Sequence, residues 1–116
     1  TFGGYPLACV AGNAALDVIV EEDLPARSAR VGEALKKRIV AVCEKSSHVK
    51  EVRGRGLFIG IEVNNGDAMA YCHKLLDLNM LCNDSHGHTI RISPPLVIGE
   101  KEADYIIERL EKVLID

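Results

Sequence analysis

Val49-Lys50-Glu51-Val52-Arg53-Gly54-Arg55 and Leu57-Phe58-Ile59-Gly60-Ile61-Glu62-Val63 are two short β-rich runs, broken by Gly54 and Gly56. β-branched residues alternating with polar ones give the period of a half-buried strand, so two adjacent strands are predicted. Gly60 inside the second run permits a bulge or a close backbone approach. On both sides the period lengthens. Upstream, Leu7, Val10, Ala11, Ala14 and Val18 recur at helical spacing behind Pro6, which suits a first turn, and predict a helix over 6–22. That stripe is mostly alanine, with Gly12 beside it, so a closely approaching partner is predicted. After Asp23-Leu24-Pro25, the stripe Val31, Leu35, Ile39 and Val42 predicts a second helix over 25–45.

Downstream, Asn64-Asn65-Gly66 reads as a turn, and Asp67 suits the cap of a third helix bearing Ala68, Tyr71, Cys72, Leu75 and Leu76. Residues 80–82 and 89–93 read as two further strands joined by a polar, hairpin-like segment over 83–88, with Pro94-Pro95 ending the second. Ala103, Ile106, Ile107, Leu110, Val113 and Leu114 form the strongest helical stripe, with Glu100 and Glu102 in its first turn. The predicted fold class is α+β: a small, mostly antiparallel sheet covered by helices.

The 116 residues predict one domain, and 47% apolar against 27% charged residues is the composition of a folding chain. The net charge of −3 excludes nucleic acid as the expected partner. No stretch approaches the ~20 apolar residues of a membrane span, so no membrane partner is predicted. Cysteines at 9, 43, 72 and 82 match neither a metal knuckle nor a disulfide framework, and reduced, buried thiols in an intracellular compartment are predicted. The opening Thr1-Phe2-Gly3-Gly4 reads as a turn from inside a longer chain and predicts a fragment.

Three segments bear on chemistry. Thr1-Phe2-Gly3-Gly4-Tyr5-Pro6 is a turn entering a helix, or a hydroxyl and free N–H groups presented to a phosphate. Arg53 and Arg55 punctuate a hairpin and remain open to an interface or a carboxylate. Arg91 alternates with Ile90 and Ile92; it faces solvent on an edge strand, or it binds a carboxylate that offsets its burial. His86 and His88 near Cys82 lack third and fourth ligands, and no metal site is predicted. No nucleophile–base pair or paired carboxylates are present, so this chain alone is not expected to be catalytic.

Taken in order, Thr1-Phe2-Gly3-Gly4-Tyr5-Pro6-Leu7, Val52-Arg53-Gly54-Arg55-Gly56-Leu57 with Ile59-Gly60-Ile61-Glu62, and Ile90-Arg91-Ile92-Ser93-Pro94-Pro95-Leu96 resemble the C-terminal part of class III pyridoxal-phosphate aminotransferases across the whole chain. Ser85-His86-Gly87 and Pro94-Pro95-Leu96-Val97-Ile98 are most similar to the ornithine-specific branch, with the acetylornithine branch next and the 4-aminobutyrate branch further off. The resemblance implies a single C-terminal domain over 1–116, a helical segment 1–22 followed by the small α+β domain, in a homodimer that binds pyridoxal phosphate. It implies that Thr1 contacts the cofactor phosphate of the neighbouring subunit, with Gly3 and Gly4 admitting the backbone, and that Arg91 pairs with a substrate carboxylate. Ornithine and 2-oxoglutarate or glutamate are the implied substrates, and cytoplasm or mitochondrial matrix the implied compartment. The lysine that anchors the cofactor, the aspartate beneath its pyridine nitrogen and the aromatic stacked on its ring are implied to lie upstream of Thr1. Two residues depart from the family pattern: Tyr5 stands where Asn is usual, and Gly99 where a capping Thr is common. The competing expectation is a free-standing α+β regulatory module that holds an amino-acid carboxylate on Arg91.

Overall fold

The computed structural model describes residues 1 and 3–115. Four helices and four strands follow one another as α1 (Pro6–Glu21), α2 (Leu24–Cys43), β1 (Val49–Arg55), β2 (Phe58–Val63), α3 (Ala68–Asp77), β3 (Asn83–Ser85), β4 (Thr89–Ile92) and α4 (Glu100–Leu114). The strands form one antiparallel sheet in the order β1-β2-β4-β3, which is the α+β class the periodicity predicts. Among the described residues no helix is long and apolar enough to cross a membrane.

One face of the sheet is the core. Ile59, Ile61, Ile90 and Ile92 are buried against Leu35 and Ile39 of α2, Leu75 of α3 and Leu110 and Leu114 of α4. Burying such aliphatic side chains contributes roughly 1.5–3 kcal/mol each, which is what holds three helices on one side. Asp67 caps α3 as its position predicts, its Oδ1 accepting from the Ala70 N–H at 3.1 Å. At α4 the cap is Gly99, and Glu102 supplies the bond: its Oε2 accepts from the Gly99 N–H at 2.8 Å. That hydrogen bond also holds the Glu102 carboxyl below the usual carboxylate range.

The β1–β2 turn touches α2 directly. A Cβ on Gly32 would lie 2.1 Å from the carbonyl carbon of Gly56, and Gly56 itself has φ +55°. Ser28, one turn earlier on α2, accepts from the Leu57 N–H at 3.2 Å. Two glycines therefore let a helix rest on a turn with backbone touching backbone.

Two expectations are corrected. The stripe Leu7, Val10, Ala11, Ala14 and Val18 of α1 is exposed throughout, with Leu7 at 67% and Val10 at 66%, and only Ile19 of that helix is half-buried. α1 projects from the core and packs chiefly on α2, so its apolar stripe stays exposed among the described residues. The strand expected at 80–82 begins instead at Asn83. The Met80 N–H closes the end of α3 by donating to the Leu75 carbonyl at 2.9 Å and cannot enter a ladder. The expected connection 83–88 is thus half strand, and the reversal falls on His86 (φ 55°) and Gly87 (φ 78°). There the Gly87 N–H donates to Asp84 at 2.8 Å.

Gly32→Ala is expected to lower stability by about 1–3 kcal/mol or more, because no side chain can yield at a backbone contact. Gly12→Ala on α1, where a Cβ meets nothing within 4 Å, is expected to be neutral or to stabilise by up to about 1 kcal/mol. Urea unfolding midpoints of the two variants check both.

Candidate functional site: an outward arginine beside a cavity

The other face of the sheet has no helix over it. Strand register sets Arg53 of β1, Gly60 of β2, Arg91 of β4 and Asn83 of β3 in one row, and residues directly opposed in antiparallel strands share a face. Arg91 therefore lies on an interior strand, and alternation turns it outward, exposed, while Ile90 and Ile92 are buried. Its charge keeps its water. Among the described residues it makes no hydrogen bond or ion pair.

Arg91 forms part of the wall of a cavity of about 1080 Å³ between residues 79–83, the 93–98 loop and the first turns of α4. Met80, Ile92, Ile98 and Ile106 supply apolar lining, and Asn83 and Lys101 add polar groups. A free guanidinium beside apolar lining suits an aliphatic molecule that ends in a carboxylate, which the planar fork takes through two parallel bonds.

Long-range bonds build the walls. Tyr105 of α4 donates to the carbonyls of Leu78 (3.2 Å) and Asn79 (3.0 Å), and the Arg109 guanidinium lies 3.3 Å from its ring centroid. Arg27 of α2 donates to the carbonyls of Val97 (3.3 Å) and Ile98 (2.7 Å), which fastens the loop after Pro94-Pro95. Sequence reasoning identified none of these wall residues. The available signal was Asn79, an asparagine after a helix, which takes the left-handed C-cap conformation with φ 62°.

The remaining candidates divide. Arg53 is committed to the structure: it reaches over Gly60 to Thr89 of β4 (3.2 Å) and pairs with Glu62 at 2.5 Å, while Lys50 takes the other Glu62 oxygen at 2.6 Å. Lys50 and Arg53 together hold the Glu62 carboxyl down at about 2. Arg55 makes no ion pair among the described residues. The His86 and His88 rings stack 6.3 Å apart, and no cluster of metal-ligating side chains occurs among the described residues. Of the four cysteines, Cys43 and Cys72 are buried as predicted, whereas Cys82 is half-buried and Cys9 exposed. Thr1, Gly3 and Gly4 are exposed and are not part of the Arg91 cavity. A Cβ on Gly3 or Gly4 would meet nothing within 4 Å, and Gly4 is left-handed at φ +78°. An open backbone of that kind fits a phosphate needing close N–H approach.

A family model described as aminotransferase class III matches residues 1–114. The chain belongs to the class III aminotransferases. It is 48% identical over 115 residues to ornithine aminotransferase 2 of Staphylococcus saprophyticus subsp. saprophyticus, covering 97% of this chain and 28% of that protein. It is 44% identical to the ornithine aminotransferase of Macrococcus caseolyticus over the same shares. Its fold matches the acetylornithine aminotransferase of Elizabethkingia anophelis with a TM-score of 0.87 and 35% identity, over 94% of this chain and 28% of that one. The ornithine aminotransferase of Toxoplasma gondii ME49 matches with a TM-score of 0.84 and 32% identity, over 93% and 26%. The chain thus spans about a quarter of the length of these class III relatives.

Because the Glu62 carboxyl is held near 2 in the folded protein and returns to about 4.3 when unfolded, its bonds stabilise the fold above that upper value. That stability is expected to fade as pH falls from about 4.3 towards 2. Urea titrations across this range should show a flatter slope for Glu62→Gln than for the parent.

Proposed function

We propose that this chain carries the carboxylate-binding arm and one cofactor-phosphate contact of a homodimeric aminotransferase, which moves the side-chain amino group of ornithine to 2-oxoglutarate. The observation that carries the proposal is Arg91: a guanidinium unpaired among the described residues and beside a cavity, in a chain of class III sequence. The ornithine assignment is supported by the curated ornithine aminotransferases that match at 48% and 44% identity.

The Arg91 fork takes a carboxylate of the substrate and fixes the angle at which its amino or oxo carbon is presented. Holding two reactants in a productive pose removes much of the entropic part of a barrier. Apolar lining from Met80, Ile92 and Ile106 excludes water around the aliphatic chain and strengthens the ion pair. The Thr1 hydroxyl and the open backbone at Gly3 and Gly4 offer donors to a cofactor phosphate of the neighbouring subunit. Pyridoxal phosphate, when bound, supplies the electron sink for the amino-group transfer. None of the residues matched here attaches or protonates the cofactor, so the chain works as part of a larger catalytic unit. The exposed apolar stripe of α1 is the surface on which the remainder of that unit packs.

In the complete enzyme, Arg91→Ala is expected to raise KM for 2-oxoglutarate and to depress kcat/KM by about 2–4 kcal/mol in barrier terms, the effect of losing a charge-assisted bidentate contact. Unchanged steady-state kinetics would overturn the assignment. Thr1→Val is expected to weaken retention of the cofactor, read as faster loss of its absorbance on dialysis, and equal retention would remove Thr1 from the phosphate site.

A further inference from the structure

α2 carries Arg27, Arg30 and Arg38 on the face that also bears Val31 and Leu35, because steps of three, four and seven residues return to one side of a helix. That face, the 98–99 segment and the start of α4 line a second cavity, of about 620 Å³. Val31, Leu35 and Ile98 supply apolar lining, and the three arginines, Glu100 and Asp104 supply its charges. The charges do not cancel. Asp104 is taken by Arg38 at 2.7 Å. Among the described residues Glu100 pairs with no cation, and neither Arg27 nor Arg30 pairs with a carboxylate. Arg27 is half-buried, its Nη2 donates only to the neutral carbonyls of Val97 and Ile98, and its Nε is buried without an acceptor. A guanidinium in that state lacks the anion that would offset its desolvation. Gly99 and Glu100 also bring the positive end of the 15-residue helix α4 to the same cavity.

We infer that this groove between α2 and α4 binds the phosphate group of a small phosphorylated metabolite. Two guanidiniums one turn apart, beside a helix start, suit a dianion. A phosphate monoester carries nearly two charges and three acceptor oxygens at neutral pH, whereas a single carboxylate would leave one fork unfilled. Each fork takes two phosphate oxygens through parallel bonds. The volume falls within the range of small-molecule sites, about 300–1,000 Å³, and the apolar lining takes the body of the ligand. Glu100 repels the anion and limits the affinity. Ile98 lines both cavities, and Arg27 holds its carbonyl at 2.7 Å. An anion that fixes Arg27 therefore also fixes part of the wall beside Arg91.

The inference rests on neither the Arg91 assignment nor the ornithine assignment, because its test reads binding alone. The complete enzyme is loaded with pyridoxal phosphate, which fills any phosphate site serving the cofactor, and is titrated with phenyl phosphate by calorimetry at constant ionic strength. The expected result is saturable binding of one phenyl phosphate per chain. Arg30 is exposed and makes no bond among the described residues, so Arg30→Gln leaves the fold intact and is expected to weaken binding by about tenfold or more. Glu100→Gln removes the repulsion and is expected to tighten binding by about threefold. Arg91→Gln is expected to bind as the parent does, and benzoate, with one carboxylate in place of the phosphate, is expected to bind at least about tenfold more weakly. Absence of saturable binding, equal affinity in either groove variant, loss of binding in Arg91→Gln, or equal affinity for benzoate would overturn the inference.

Discussion

β2 and β4 pair at the centre of the sheet, and their two-residue period commits every side chain to one face or the other. Ile59, Ile61, Ile90 and Ile92 turn towards α2, α3 and α4 and form the core, so Gly60, Glu62 and Arg91 turn away from it. The buried isoleucines and the exposed arginine are one constraint: a slip of β4 by one residue would bury a guanidinium and expose Ile90 and Ile92. The position of Arg91 is thus held by the hydrophobic effect acting on its neighbours, with no bond to its own side chain among the described residues.

That constraint fixes where Arg91 starts and leaves its surroundings to the loops. The cavity walls are secured by bonds between residues far apart in the chain, Tyr105 to the 78–79 carbonyls and Arg27 to the 97–98 carbonyls. Across the sheet, Lys50 and Arg53 occupy both oxygens of Glu62, the acidic neighbour on the same face. With that carboxylate engaged on β1, the outward guanidinium of β4 makes no ion pair among the described residues. The Gly32–Gly56 contact performs a corresponding service for the scaffold, because it sets the distance between α2 and the β1–β2 turn.

The elements were legible where the periodicity was strong. α2, β1 and β2 fall within two residues of their expected bounds, the α4 stripe lies within its helix with Glu100 and Glu102 in the first turn, and Asp67 caps α3 as its side chain predicts. The misreadings came where local pattern and tertiary bonding disagree. Leu81 looks like a strand residue but is 85% exposed beside a helix-terminating turn. The α1 stripe has the spacing of a buried face, yet amphipathic spacing carries no information on whether a partner is present within the same chain. Arg91 looked costly because its neighbours are isoleucines, and the cost disappears once the strand is seen to have one open face.

Local chemistry, carried by the order of side chains, was enough to determine the α+β class, the helix caps, the alternation that selects Arg91, and the family motifs at both ends of the chain. Strand order, the cavity beside Arg91 and the Glu62 clamp were decided only by tertiary structure. They depend on contacts between residues distant in sequence, whose geometry arises when helices and sheet share one core. Periodicity is a property of neighbours along the chain, and a site is a property of neighbours in space.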